Sequence, residues 1–364
     1  MRSIEKLKDI ALAGRLAKNI LNFSSKEIKI FAAGEGLAYS IIKNKLREML
    51  NPSVSFLFGP GCPACVTSVE AIDKAICIAS MKDIIFILQE EYLNIPGSKQ
   101  SLSGLREKSN SIRIIESPLE AVTIAGRESD KKIVFLAAGF EDAAAENLYA
   151  LSLAKKKDLK NFFMLNSHLK FGAFLSSILS SNNSFINGIL LSGRIFSVTG
   201  YNEYKDLPGR LKIPVVITGC EPMDILQSVY LIAKQIKEGR CETENQFTRG
   251  APAGGNKAAL NLISDYFETV NKNWRSFGNI ENGGYKFKKE FYRYDAEKNF
   301  PIKYTMPEES VFCEAKKVLK GQIVPYKCSA YSKLCSPPHA LGAPMAAKGG
   351  ICNLFYRFNK MRVN

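Results

Sequence analysis

The sequence predicts an α/β protein: two similar parallel-sheet lobes followed by an irregular, mostly helical and loop-built C-terminal module. Three observations carry that prediction. Apolar runs of strand length alternate with helical patterns along the first two thirds of the chain. Those runs are apolar at nearly every residue, as strands buried on both faces of a helix-covered parallel sheet must be. Beyond Trp274 the periodicity fades, and four of the nine cysteines lie between Cys313 and Cys352 among glycines and prolines.

Taken in order, "MRSIEKLKDIALAGRLAKNILNF" carries charges throughout and reads as an amphipathic helix. It lacks a small-residue cleavage site, so it is not a signal peptide, and a cytoplasmic location is expected. Strands follow at "IKIFAAG" (28–34), "VSFLFGPG" (54–61), "DIIFIL" (83–88) and "SIRIIE" (111–116). Four more are expected at "KKIVFLAAG" (131–139), "NFFML" (161–165), "INGILLSG" (186–193) and "IPVVITG" (213–219). Gly34, Gly59 and Gly61, Gly139 and Gly219 stand where strands run into helices. In open parallel sheets the carboxyl ends of strands line the ligand crevice, so "GPGCPAC", "AAGFED" and "TGCEPMD" are expected to face one cleft. A length of 364 residues suits two to three domains. The boundaries predicted are 1–125 for the first lobe, 126–235 for the second and 236–364 for the C-terminal module.

Composition narrows the chemistry. No apolar run approaches the roughly 20 residues that span a bilayer. The net charge of +15 is spread over scattered lysines without an aromatic RNA-binding motif, which reads as a solvated surface and not as a nucleic-acid partner. No Gly-rich nucleotide fingerprint is present. Only His168 and His339 exist, which excludes a histidine-rich metal site or relay. Nine cysteines in a reducing compartment point to metal, cluster or thiol chemistry.

Cys62 and Cys65 stand two residues apart on the turn between strand 54–58 and a helical run in which Val69, Ile72, Ile76 and Ala79 share one face. A thiol at a helix N-terminus has a lowered pKa and gains reactivity. The pair is read as a reactive dithiol, with inert buried thiols or half a zinc knuckle as the alternatives. Cys313, Cys328, Cys335 and Cys352 include no CxxC knuckle, which weighs against a zinc ribbon. Four thiolates in a loop-rich segment suit a 4Fe–4S cluster, with zinc or unliganded thiols as alternatives. Lys316, Lys317, Lys320, Lys327, Lys333 and Lys348 would offset its charge. Cys77, Cys220 and Cys241 are read as small apolar residues, Cys220 having a substitute cleft thiolate as its alternative.

Several segments resemble the HypD family of hydrogenase maturation proteins. "GPGCPACVT" resembles that family's GPGCPVCVTP, "VFLAAGFED" its GFETT loop and "PVVITGCEPMDIL" its GFEPLDIL segment. "ENQFTRGAPAGGNKAA", "NWRSFGNI", "IPGSKQSL", "VLKGQIVPYKC" and "CSPPHALGAPM" match further family stretches in order. The resemblance implies a redox-active assembly scaffold, not a conventional turnover enzyme, for the Fe(CN)2CO group of NiFe-hydrogenase. Its partners would be a HypC-like small chaperone and a HypE-like cyanide donor. Cys62 and Cys65 would be the redox dithiol, with Cys62 also a transient iron ligand. Cys313, Cys328, Cys335 and Cys352 would hold the 4Fe–4S cluster. Glu141 and Glu221 would orient cleft hydrogen bonds or serve as helix N-terminal carboxylates.

The chain departs from the family in one group of positions. The family's CGTH motif is "AGEG" here, with Ala33 at the cysteine and Gly36 at the histidine. PGHV is "SGRI", with Arg194 at the histidine, and the GFETT threonines are Asp142 and Ala143. A methyl group cannot coordinate iron, and a guanidinium has no lone pair to offer. The alternative implied is a 4Fe–4S and dithiol electron-transfer protein, or a partner-binding module, without iron-ligand assembly.

Overall fold

The structure, a computed structural model, describes residues 2–23, 26–107, 111–179, 185–303 and 309–358. All eight expected strands form: β1 (Ile28–Ala33), β2 (Val54–Phe58), β3 (Ile84–Gln89), β4 (Ile112–Ile115), β5 (Lys132–Gly139), β6 (Phe162–His168), β7 (Gly188–Ser192) and β8 (Val215–Thr218). Three more follow, β9 (Thr243–Asn245), β10 (Phe267–Trp274) and β11 (Gly278–Phe287). The unbroken apolar runs have the cause expected of them. Phe31, Phe86, Ile87, Val134, Phe135, Leu190 and Val216 are all fully buried, between parallel neighbours and under helices on both faces.

The order of strands corrects the expected domain boundaries. One sheet runs β2-β1-β7-β8-β9 and the other β4-β3-β5-β6, each wholly parallel. The chain therefore lays two strands of the first lobe, crosses to build the second lobe completely, and returns to finish the first. Neither 1–125 nor 126–235 is a structural unit. The crossing is made by helix Val69–Ala79, whose Ile72, Ala75 and Ile78 pack on the second sheet beside Phe86 and Leu88.

The block 236–364 is likewise not one module. Its first residues end helix Pro222–Glu238 and supply edge strand β9. Helix Lys257–Tyr266 follows, and β10 and β11 then form an antiparallel hairpin where the sequence shows little periodicity, Phe267, Tyr285 and Phe287 packing on the second lobe and Trp274 and Ile280 on the first. From Lys288 the described chain runs in short helices and turns, and from Glu309 it forms the thiol-bearing segment. That segment lies on the first lobe, with Val318, Leu319, Ile351, Leu354 and Phe355 in its core. Among the described residues no helix is long and apolar enough to cross a membrane. The N-terminal helix Arg2–Phe23 buries Ala17 and Ile20 one helical turn apart, and its Phe23 ring meets Tyr230 edge-on at 5.2 Å.

Candidate functional site

The carboxyl ends of both sheets meet in one cleft, as the Gly-terminated strands predicted. Glu35 follows β1, Cys62 follows β2, Glu91 follows β3, Asp142 follows β5, Arg194 follows β7 and Cys220 follows β8. Glycine is needed at these turns for space: a Cβ at Gly61 would run into the Gly34 carbonyl at 2.6 Å, and one at Gly59 into the Phe31 ring at 2.5 Å. A cavity of about 200 Å³ lies there, lined by Glu35, Cys62, Cys65, Glu91 and glycines of the β1 and β2 turns.

Cys62 and Cys65 are free thiols, but their setting corrects two expectations. Both are buried, at 7% and 1% exposure, on the floor of the cavity. The helix they open is one turn, Pro63–Val66, too short for a substantial macrodipole. Burial therefore wins at Cys65 and pushes its thiol well above the ordinary range, with the neighbouring Cys62 thiol adding to the rise.

The positions that depart from the family meet at this cleft. The Arg194 guanidinium donates from Nε to Asp142 Oδ2 at 2.8 Å and from Nη1 to Glu35 Oε1 at 3.4 Å, tying the two lobes together. Burial pushes the Glu35 carboxyl up to about 7 against the pull of Arg194, and pushes Glu91 up as well. Asp142 keeps its second oxygen buried and without a hydrogen-bond partner. Cys220 is half-buried, donates to the Glu35 carbonyl at 3.3 Å, and occupies the space that a side chain at Gly36 would need, 2.8 Å from its Cβ. It also packs against the first-lobe core, as the apolar reading expected, whereas Cys241 is exposed.

Other residues singled out in the sequence have local duties. Glu141, 2% exposed, accepts the Phe171 N–H at 3.1 Å, and Glu221 caps helix Pro222–Glu238 reciprocally with Asp224. His168 is enclosed between Asn166 Oδ1 at 2.7 Å and Asn147 Nδ2 at 2.8 Å, and burial holds its imidazole down to about 3, so it stays neutral.

Cys313, Cys328, Cys335 and Cys352 converge on one small pocket, which Tyr331, Gly342, Pro344 and Met345 complete. Burial is the leading cause that pushes Cys313 up to about 11, Cys335 up, and Cys352 well up, with the neighbouring thiols contributing. Among the described residues no three His, Cys, Asp or Glu side chains are grouped so as to hold one metal ion. In a cubane each thiolate binds a different iron, so its four sulfurs stand apart around a shared core. The donor set fits such a group in two further respects. The Leu341 N–H points at Cys335 Sγ at 3.4 Å, and Gly342 leaves open the space that Cys313 Sγ occupies, where any Cβ would overlap it.

Sequence reasoning did not find how these thiols relate to the first pair. The Cys65 thiol points at the Ala343 carbonyl at 4.0 Å, and Gly342, Pro344 and Met345 on either side of Ala343 line the four-thiol pocket. The two sulfur groups stand back to back across the single turn Ala343–Ala346. A third element joins them. Arg275, 4% exposed, donates to the Pro96 carbonyl at 2.7 Å and pairs through Nε with the Glu309 carboxylate at 3.9 Å; its Nε and Nη1 make no hydrogen bond, and Cys313 and Cys65 lie within its weaker electrostatic reach. The "NWRSFG" match was the signal that could have marked it.

Comparison with known proteins gives the family. Residues 11–359 match the HypD family model, described as "Hydrogenase formation hypA family". A putative hydrogenase expression/formation protein of Methanocaldococcus jannaschii is 30% identical over 357 residues, 98% of this chain and 99% of that protein. The hydrogenase maturation factor HypD of Rhodobacter capsulatus is 30% identical over 374 residues, covering 100% and 99%. That of Escherichia coli is 30% identical over 346 residues, covering 94% and 92%. With the match running through both lobes and the thiol-rich segment alike, this chain belongs to the HypD family of hydrogenase formation proteins.

Proposed function

We propose that this chain is a cytoplasmic scaffold for assembling the Fe(CN)2CO group of NiFe-hydrogenase, working with a HypC-like chaperone and a HypE-like cyanide donor. The observation that carries this reading is the back-to-back placement of a buried dithiol and a four-thiol pocket across one turn of helix. Cys313, Cys328, Cys335 and Cys352 would hold a 4Fe–4S cluster, which supplies one electron at a time when bound. Cys62 and Cys65 store or release two electrons and two protons as they pass between dithiol and disulfide. Cys62 lines their cavity and is the thiol that would meet a low-valent iron as substrate. Glu35 and Glu91 beside them are carboxyls that burial inclines to keep a proton.

One observation favours a second reading. Arg194, held by Asp142 and Glu35, puts a fixed cation in the cleft where a cationic cargo would otherwise sit. A protein that passes electrons between cluster and dithiol without handling mononuclear iron needs no iron ligands there. Infrared spectroscopy separates the two. Anaerobic protein co-expressed with HypC-like and HypE-like partners is expected to carry cyanide and carbonyl stretching bands. Their absence, with the brown chromophore intact and lost in Cys328→Ala, would replace assembly by electron transfer.

A further inference from the structure

The segment that carries the four thiols, 313–352, holds six lysines and a single acidic residue, Glu314, a net of +5 within the chain's +15. Lys316, Lys317, Lys327 and Lys333 are exposed around the four-thiol pocket, Lys317 paired with Glu314 at 2.7 Å. Between them stand apolar side chains that a free surface does not reward. Val311 is 90% exposed, Leu334 60%, Phe312 59% and Tyr326 42%. Phe312 precedes Cys313, Leu334 precedes Cys335, and Tyr326 comes two residues before Cys328, so the apolar patch adjoins the pocket at three of its four thiols. Apolar contacts rimmed by charge of one sign make a transient docking face for a partner of the opposite sign.

We propose that this face docks a small acidic protein carrying a one-electron centre. The inference rests on the reading that the four thiols hold a cluster. The lysines steer the acidic partner by long-range attraction. The apolar residues then exclude water and bring the partner's centre over the thiols beneath them. With a cluster held by the four thiols, one electron would pass from the reduced carrier to it, the carrier being oxidised by one and the cluster reduced by one. No proton or leaving group moves. A nucleic acid would also answer the charge, but Val311 and Leu334 have no use against a phosphate backbone, and their place beside the thiols would then be idle.

The test uses the full chain reconstituted with iron and sulfide, mixed in a stopped-flow instrument with a pre-reduced, acidic plant-type 2Fe–2S ferredoxin or with dithionite. Cluster reduction by ferredoxin is expected to slow about tenfold between low and moderate salt. It should slow by a similar factor in K316E/K327E/K333E and in F312S/L334S, while dithionite reduces F312S/L334S, whose charge is unchanged, at the wild-type rate. A salt-independent ferredoxin rate, unchanged variants, or F312S/L334S slowed equally with dithionite would overturn the proposal while leaving the cluster in place. So would binding of a short DNA duplex more tightly than ferredoxin. Wild-type protein that gains no chromophore on reconstitution would instead remove the cluster reading itself.

Discussion

Glu141 carries its charge problem alone. It is 2% exposed, accepts the Phe171 N–H, and burial lifts its carboxyl from about 4.5 to about 7. A carboxyl raised by folding contributes stability that is fully present below its unfolded pKa and is lost as pH rises through the folded value. His168 has the opposite sign: held down to about 3, it contributes stability above about 6.5 that is lost as pH falls. Between pH 5 and about 6.5 the two act in opposite directions, so the variant isolates the carboxyl: in urea titrations the stability of Glu141→Gln relative to wild type should rise from pH 5 to pH 8, by on the order of 2–3 kcal/mol. Arg275 is the other telling residue. A buried cation close to a centre that gains negative charge stabilises the reduced form. On the proposal that the four thiols hold a 4Fe–4S cluster, Arg275→Gln should lower its midpoint potential by roughly tens of millivolts in a redox titration.

At the scale of elements, the β10–β11 hairpin fixes the dithiol in place. Trp274, fully buried, stacks on Phe174 at 4.9 Å and on Phe140 at 5.8 Å, and its Nε1 donates to the Gly283 carbonyl at 2.7 Å. The next residue's N–H reaches the Val66 carbonyl at 2.9 Å, immediately after Cys65. Trp274→Ala should cost about 3–5 kcal/mol in a denaturant titration. The turn Ala343–Ala346 is a shared wall, and Gly342 at its start has no strained backbone, so a substitution there acts through space alone. Gly342→Ala should displace Cys313 and reduce iron and sulfide content on reconstitution, with little change in far-ultraviolet circular dichroism. The hairpin was illegible in the sequence because glycine and asparagine interrupt β11 at Asn279, Asn282, Gly283 and Gly284, and its outer face is exposed. A strand with one wet face and a broken alternation leaves no two-residue period to read.

The whole molecule is two lobes threaded by one chain, with a cleft where their strand ends meet. Arg194 of the first lobe and Asp142 of the second hold that cleft across its width. Removing the guanidinium leaves buried Asp142 and half-buried Glu35 and Glu91 facing one another without a cation. Because Arg194 itself is more than half exposed, Arg194→Ala is expected to destabilise by only about 1 kcal/mol at pH 8. The loss should shrink at pH 5, where Glu35 takes up a proton, and paired denaturation curves at the two pH values measure it. If the loss is the same at both, the Glu35 carboxyl is not part of the network.

The sequence alone determined the eight parallel strands, their Gly-terminated ends, the CxxC turn and the cysteine inventory. Each is written in short-range pattern: burial on both faces leaves an unbroken apolar run, and a tight turn leaves glycine. Only the tertiary structure decided which sheet each strand joins, since β2 and β7 read alike and a parallel crossover does not mark its destination. The same holds for the thiols. Their spacing named them, but the charge state of Cys65, the ion pairs of Arg194 and the shared wall at Ala343 depend on groups brought from distant parts of the chain. Desolvation and Coulomb energy are set by neighbours in space, and those neighbours exist only once the chain has crossed between its lobes and come back.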